Sequence, residues 1–168
     1  MNRKNNPLWS AIFRHGVPDG TQEMLDFLDA SPLFAALSKR ELRSLAAIVH
    51  QRSYQEGEFV FRKGQPGAAM FIIKSGMVNV IDHRNDNRET IIATLQAEDF
   101  FGELALLDDT PRSASALATT TSEIYAFSRA DLDNLLTSFP QIGMRIYRAL
   151  AIIIGTRLKD ANAQLSNQ

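Results

Sequence analysis

Between Phe100 and Ala116 the sequence reads FFGELALLDDTPRSASA, and three residue types at fixed spacing within it can do chemistry together. Gly102 frees the chain from a preceding strand. Glu103, Leu104, Ala105, Leu106 and Leu107 are good helix formers that predict one or two helical turns. The first amides of such a turn have no partner inside it, and outward-pointing amides suit an anion, most often a phosphate. Asp108-Asp109-Thr110-Pro111 ends the turn, and Arg112 arrives nine residues after Glu103. A guanidinium can grip two phosphate oxygens at once. Ser113, Ala114 and Ser115 are small enough to let a ligand approach the backbone. Glu103 can accept hydrogen bonds from sugar hydroxyls. Anion site, cation and hydroxyl acceptor in one segment describe a ribose phosphate.

Each of these residues also has a plainer reading. Gly102-Glu103 alone is a strand-to-helix turn, and Arg112 alone is a surface or ion-paired arginine; their combination points to a pocket. Other chemistries find less support. The 168 residues include no cysteine, which removes disulfides, thiolate nucleophiles and zinc-cysteine sites. His15, His50 and His83 lie far apart and form no ligand pair, so a cupin-like metalloenzyme lacks its usual donors. No nucleophile–base pair emerges, and the chain is expected not to be an enzyme.

The elements that must position this segment follow from periodicity. Residues 1–20 form a mixed tail in which Leu8, Trp9, Ile12 and Phe13 make a small apolar patch. From Thr21 to His50 the period is helical: Thr21 caps a helix carrying Met24, Leu25 and Leu28, and Pro32 breaks it. Leu33, Phe34 and Leu37 follow as a hydrophobic knuckle. Ser38 and Glu41 have the spacing of a capping box, with Leu42, Leu45, Ala46 and Val49 behind them at helical spacing. From Ser53 to Phe127 short β-branched and aromatic runs alternate with glycine turns: Phe59–Phe61, Met70–Ile73, Met77–Ile81, Thr90–Leu95 and Ile124–Phe127. Such regular short strands predict a barrel or sandwich. His83 to Arg88 reads as a polar hairpin loop. Ser128 caps a further helix, and Pro140 opens a last one running to about Leu165, with Ile146, Tyr147, Leu150, Ile153, Ile154, Leu158 and Leu165 on one face and Ile152 opposite.

Composition sets outer limits. Hydrophobic residues at 45% and charged residues at 22% fit a globular domain of this length and exclude a disordered chain. Eighteen Lys+Arg against nineteen Asp+Glu give no excess positive field for nucleic acid. The plain apolar run Ala149–Gly155 is seven residues, against roughly 18 needed to cross a bilayer, and no secretion signal opens the chain. A cytoplasmic location without membrane insertion is expected.

Phe101-Gly102-Glu103-Leu104-Ala105-Leu106-Leu107 followed by Arg112-Ser113-Ala114-Ser115 resembles the phosphate-binding cassette of the cyclic nucleotide-binding domain family, whose members include catabolite activator proteins, protein kinase A regulatory subunits and cyclic-nucleotide-gated channels. The glycine-punctuated run from Gly57 to Ile81 is similar to the family's first barrel half, and the resemblance extends from about Leu25 to Leu165. It implies an α+β fold in which N-terminal helices precede an eight-stranded antiparallel β-roll and C-terminal helices form a lid. The tail of 1–20 leads into a domain of 21–168.

The resemblance also implies roles at matching positions. Gly102 and the amides of Leu104 and Ala105 line a phosphate site, Glu103 binds a ribose hydroxyl, and Arg112 pairs with the cyclic phosphate. Ser113 lies beside phosphate and purine, and Ala114 adds a close backbone contact. The side chains of Phe101, Leu104 and Leu106 pack the barrel. One position departs from the pattern: Arg157 and Leu158 stand where catabolite activators carry a Thr-Ser pair reaching the purine. Arg157 can stack on a base or donate to it but cannot copy hydroxyl contacts. The ligand is expected to be cAMP first and cGMP second, with no separate cofactor and no metal. No DNA-binding helix follows the lid in this sequence, so the output is expected to pass through an effector protein, a homodimer along the C-terminal helix, or a longer parent chain. The alternative is a β-roll scaffold that binds no ligand.

Overall fold

Helix α1 (Thr21–Ala30) and helix α2 (Lys39–Ala46) begin the part of the chain, residues 21–83 and 89–166, that the computed structural model describes. The capping box forms as the spacing of Ser38 and Glu41 predicts: the Ser38 amide donates to Glu41 Oε2 at 2.8 Å, and the Glu41 amide donates to Ser38 Oγ at 3.4 Å. The same Glu41 carboxylate accepts from Arg145 at 2.8 Å, which fastens the N-terminal helices to the last helix. Ser38 and Arg145 together hold the Glu41 carboxyl below its usual range. Between the two helices Leu33, Phe34 and Leu37 are buried, as the knuckle reading requires.

Eight strands follow: β1 (His50–Tyr54), β2 (Phe59–Phe61), β3 (Ala69–Ser75), β4 (Val78–His83), β5 (Glu89–Leu95), β6 (Phe100–Phe101), β7 (Ser115–Ala118) and β8 (Ser122–Ser128). They form two four-stranded antiparallel sheets, ordered β1-β8-β3-β6 and β2-β7-β4-β5. Strand β3 shows why the roll holds together. Successive side chains of a strand point to opposite faces. Met70 and Ile72 enter the core beneath the helices, while Phe71 and Ile73 enter the core between the sheets. All four are buried, so β3 reads as a continuous apolar run rather than an alternating one.

Helix α3 (Arg129–Ser138) starts at the Ser128 cap, whose hydroxyl accepts from the Asp131 amide at 3.1 Å. Helix α4 (Pro140–Ser166) opens on the proline and packs against α3. Its inner face buries Ile142, Ile146 and Leu150 completely, and Tyr147, Ile153 and Ile154 are half-buried. Leu158 departs from the expected buried face, because α4 by then has run past the helical core, and it is 61% exposed. Ile152 is exposed on the far side, where the expected second copy would pack.

Three other expectations change. The helical stretch ends at Ala46, and His50, read as a helix-end residue, opens β1 instead. Strands β1, β6 and β7 join the five read from periodicity and complete the eight that the family resemblance implies. The expected helix after Gly102 is a single 3-10 turn, Glu103–Leu106. The tail of 1–20 with its Leu8–Phe13 patch, the hairpin loop at 84–88, and the side chains of Thr21 and Leu165 lie outside the described residues.

Candidate functional site

Strand β6 delivers the cassette. Its two residues pair with β3, Phe101 opposite Phe71 and Phe100 opposite Ile72, and Phe101 stacks on Phe71 with ring centroids 5.4 Å apart. Gly102 then turns the chain at φ 71°, a left-handed conformation that side chains of L-residues resist. The 3-10 turn closes through the Ala105 amide to Gly102 O (3.2 Å) and the Leu107 amide to Leu104 O (2.9 Å). One such turn has little macrodipole to offer an anion, and what it presents is its individual first amides. Buried Ala105 and Leu106 anchor it. Leu104, expected to pack the barrel, is 49% exposed, because a turn this short has only one inward side.

Arg112 is held from both directions. Its backbone is clamped to the β2–β3 connection, the Gly64 amide donating to Arg112 O and the Arg112 amide to Gln65 O, each at 2.8 Å. Its guanidinium donates to Gly102 O (3.1 Å) and Ala69 O (2.7 Å) and lies over the Phe61 ring, 4.1 Å from its centroid. Only 9% of the residue is exposed, and Nε is buried with no hydrogen-bond partner. Among the described residues Arg112 makes no ion pair; burial lowers its pKa from the ordinary value, and the Glu103 carboxylate partly opposes that shift. A buried cation with carbonyls and aromatic faces for company has unused capacity for an anion.

Glu103 faces the last helix. Its Oε1 accepts from Arg157 Nη1 at 2.7 Å, with the Glu103 side chain 12% exposed. Arg157 also donates to Phe100 O at 2.9 Å and lies 4.3 Å from the centroid of the Phe100 ring. Among the described residues, Arg157 is the side chain through which helix α4 reaches the cassette.

Together these groups line a cavity of about 400 Å³. All eight residues nominated from the sequence border it: Gly102, Glu103, Leu104, Ala105, Arg112, Ser113, Ala114 and Arg157. The sequence did not nominate the apolar wall, which Phe61, Val80, Ala93 and Leu95 supply from β2, β4 and β5. Those residues are single members of strands whose inner face is set by the roll's closure, and no local spacing marks them. A cavity with a cation and amides at one part, a carboxylate beside them and an apolar wall accepts an anionic group, a hydroxyl and a flat ring. Among the described residues no group of His, Cys, Asp and Glu could hold a metal ion.

The profile of a family described as "Cyclic nucleotide-binding domain" matches residues 51–139. The Cyclic AMP receptor protein of Thermus thermophilus is 31% identical over 138 residues, covering 82% of this chain and 62% of that protein. Glutaminase 1 of Bradyrhizobium diazoefficiens is 33% identical over 154 residues, covering 92% of this chain and 24% of that protein. The chain thus spans less than two thirds of either relative's length. A crystal structure of a cyclic nucleotide-binding domain from Methylobacillus flagellatus superposes with a TM-score of 0.78 at 26% identity, over 89% of this chain and 84% of that one.

Proposed function

Because the chain belongs to the cyclic nucleotide-binding domain family, we propose that it is a sensor module that takes a cyclic nucleotide, cAMP before cGMP, into the cavity beside the 3-10 turn. The observation that carries this reading is Arg112, a nine-tenths-buried guanidinium with an unpartnered Nε at the wall of that cavity. A cyclic phosphate brings one negative charge to it, and the first amides of the turn add donors. Gly102, Leu104 and Ala105 shape the phosphate end, Ser113 and Ala114 lie alongside, and Glu103 accepts from a ribose hydroxyl. Arg157 closes the site from α4, so occupancy is felt by that helix. The chain acts by binding rather than by catalysis, without nucleic acid as a partner and without membrane insertion; its signal leaves through α4 to an effector protein or a second copy. Among the described residues no helix is long and apolar enough to cross a membrane.

Thermal unfolding with cAMP, with cGMP and without ligand tests the reading. Ligand at about a hundred times its dissociation constant adds about 2.7 kcal/mol, which raises the midpoint by about 5–10 °C in a domain of this size. A folded protein whose midpoint moves with neither nucleotide is the ligand-free scaffold instead.

The role of Glu103 is tested by Glu103→Gln. The amide keeps an acceptor for Arg157 and the same shape, but loses the charge that strengthens a hydroxyl's hydrogen bond. Cyclic AMP is expected to bind about tenfold more weakly, and its 2′-deoxy analogue almost unchanged. Equal losses for the two ligands would make Glu103 a structural residue.

A further inference from the structure

A second cavity, of about 480 Å³, lies on the β1-β8-β3 part of the first sheet and shares no lining residue with the cavity beside the 3-10 turn. Strand register builds its floor. Phe71 stands opposite Ala126, which in turn stands opposite His50, and Ala69 stands opposite Ser128. Along the same face Ile73 and Ile124 are fully buried in the core between the sheets. Toward Ala69 and Ala126 that cover gives out: both alanines are half-buried and line the cavity with Phe71. Small side chains there leave depth that the neighbouring isoleucines fill.

Strand β1 supplies the polar rim. Alternation along a strand puts His50, Arg52 and Tyr54 on one face, and all three line the cavity. Much of the other polar capacity is already committed. The Ser53 hydroxyl donates to Glu123 at 2.6 Å, the Ser128 hydroxyl bonds Asp131, and His50 Nε2 lies 3.9 Å from the same Asp131 carboxylate. Among the described residues, neither the Arg52 guanidinium nor the Tyr54 hydroxyl has a hydrogen bond or ion pair. Burial raises the Tyr54 pKa, Arg52 opposes that shift and Glu58 adds to it, so both charges are felt at the hydroxyl.

An exposed arginine without a partner is ordinary by itself. What distinguishes Arg52 is the open apolar floor beside it, with an unused hydroxyl at its edge. We propose that this cavity is a second binding site, for a small aromatic carboxylate whose ring lies on Ala69, Phe71 and Ala126 and whose carboxylate meets Arg52 and Tyr54. A flat ring matches a sheet face and the Phe71 ring, and a carboxylate matches the guanidinium fork and accepts from the phenol. A bare inorganic anion would leave the floor wet, and a cation would face Arg52. A doubly charged phosphate ester fits worse, because Asp131 already balances His50 and Glu58 stands near Tyr54. The proposal does not depend on nucleotide binding.

The test is an amide chemical-shift titration of the full chain with 2-naphthoate and with neutral 2-naphthamide, in the wild type and Arg52→Ala. In the wild type, naphthoate gives saturable shifts centred on residues 50–54, 69–71 and 126–128, with a dissociation constant below about 1 mM. Naphthamide binds the wild type about fivefold or more weakly, the effect of losing a charged hydrogen bond at a partly exposed site. Arg52→Ala weakens naphthoate by a similar factor and leaves naphthamide unchanged, which assigns the difference to that one pairing. The arginine is exposed and unpartnered, so its loss leaves the fold intact. Ala126→Leu, which fills the floor, weakens both compounds alike. No saturable shift in the wild type overturns the proposal. So do shifts centred on residues 102–105 and 112–114, which would put naphthoate in the other cavity. Equal binding of acid and amide by the wild type, or naphthoate affinity unchanged in Arg52→Ala, reduces the face to an apolar patch and overturns it too. Cyclic nucleotide takes no part in these titrations, so this proposal and the nucleotide-binding reading fail separately.

Discussion

Arg112→Ala is expected to weaken cyclic-nucleotide binding by about tenfold to more than a hundredfold. A hydrogen bond to a charged partner contributes about 1.5–3 kcal/mol, and the pairing of Arg112 with phosphate would take place in a setting that excludes most water. The variant also loses two bonds of the empty protein, to Gly102 O and Ala69 O, which hold the start of the cassette to the start of β3. Phe61 loses the cation over its face. Ligand-free stability should therefore fall as well, by about 1–3 kcal/mol. The two effects are separated by measuring affinity calorimetrically well below the variant's unfolding midpoint, where the protein remains folded. Arg112→Lys sharpens the result: it restores charge but reaches one carbonyl instead of two, and should recover only part of the affinity. An alanine variant with wild-type affinity would move the pocket elsewhere.

How far the sequence predicted the structure depended on whether the signal was local. The capping box at Ser38 and Glu41, the buried run in β3 and the proline opening α4 each depend on neighbours a few residues away, and each formed as read. Strand β1 gave no signal because His50, Gln51, Arg52 and Ser53 are exposed on both faces, and it is a strand only because β8 pairs with it. Strand β6 is two residues long, too short for any period. Strand β7 is short and holds small residues around Leu117, its first residue Ser115 reading equally well as part of a ligand approach, and it lies between β2 and β4.

The site divides in the same way. Gly102 to Ala105 and Arg112 to Ala114 are contiguous enough for their chemistry to be seen as one cassette. Arg157 stands 54 residues from Glu103, and nothing in the spacing brings them together. Their pairing follows from α4 burying Ile142, Ile146 and Leu150 against the helical core, which directs the next turns of the helix across the cavity.

Gly102→Ala should damage stability and binding together, and a second glycine shows why the two can be told apart. At φ 71° an alanine adds about 1–2 kcal/mol of backbone strain, lowering the unfolding midpoint by about 2–8 °C. Its Cβ would also lie 2.7 Å from Arg112 Nη1, nearer than atoms tolerate. The guanidinium is the end of a flexible side chain and can swing away, so the clash itself is relieved cheaply. Relief, however, breaks the Nη1 bond to Gly102 O and takes the cation from where phosphate would meet it. Affinity should then drop about tenfold, the equivalent of one charge-assisted bond. Gly57→Ala supplies the comparison: φ is 84°, no heavy atom lies within 4 Å of the added Cβ, and the residue does not border the cavity. It should lose similar stability and keep its affinity for nucleotide. If the two variants lose affinity equally, backbone strain alone disturbs the pocket and Arg112 is not held where the ligand needs it; if only Gly102→Ala does, the position of that guanidinium sets the binding.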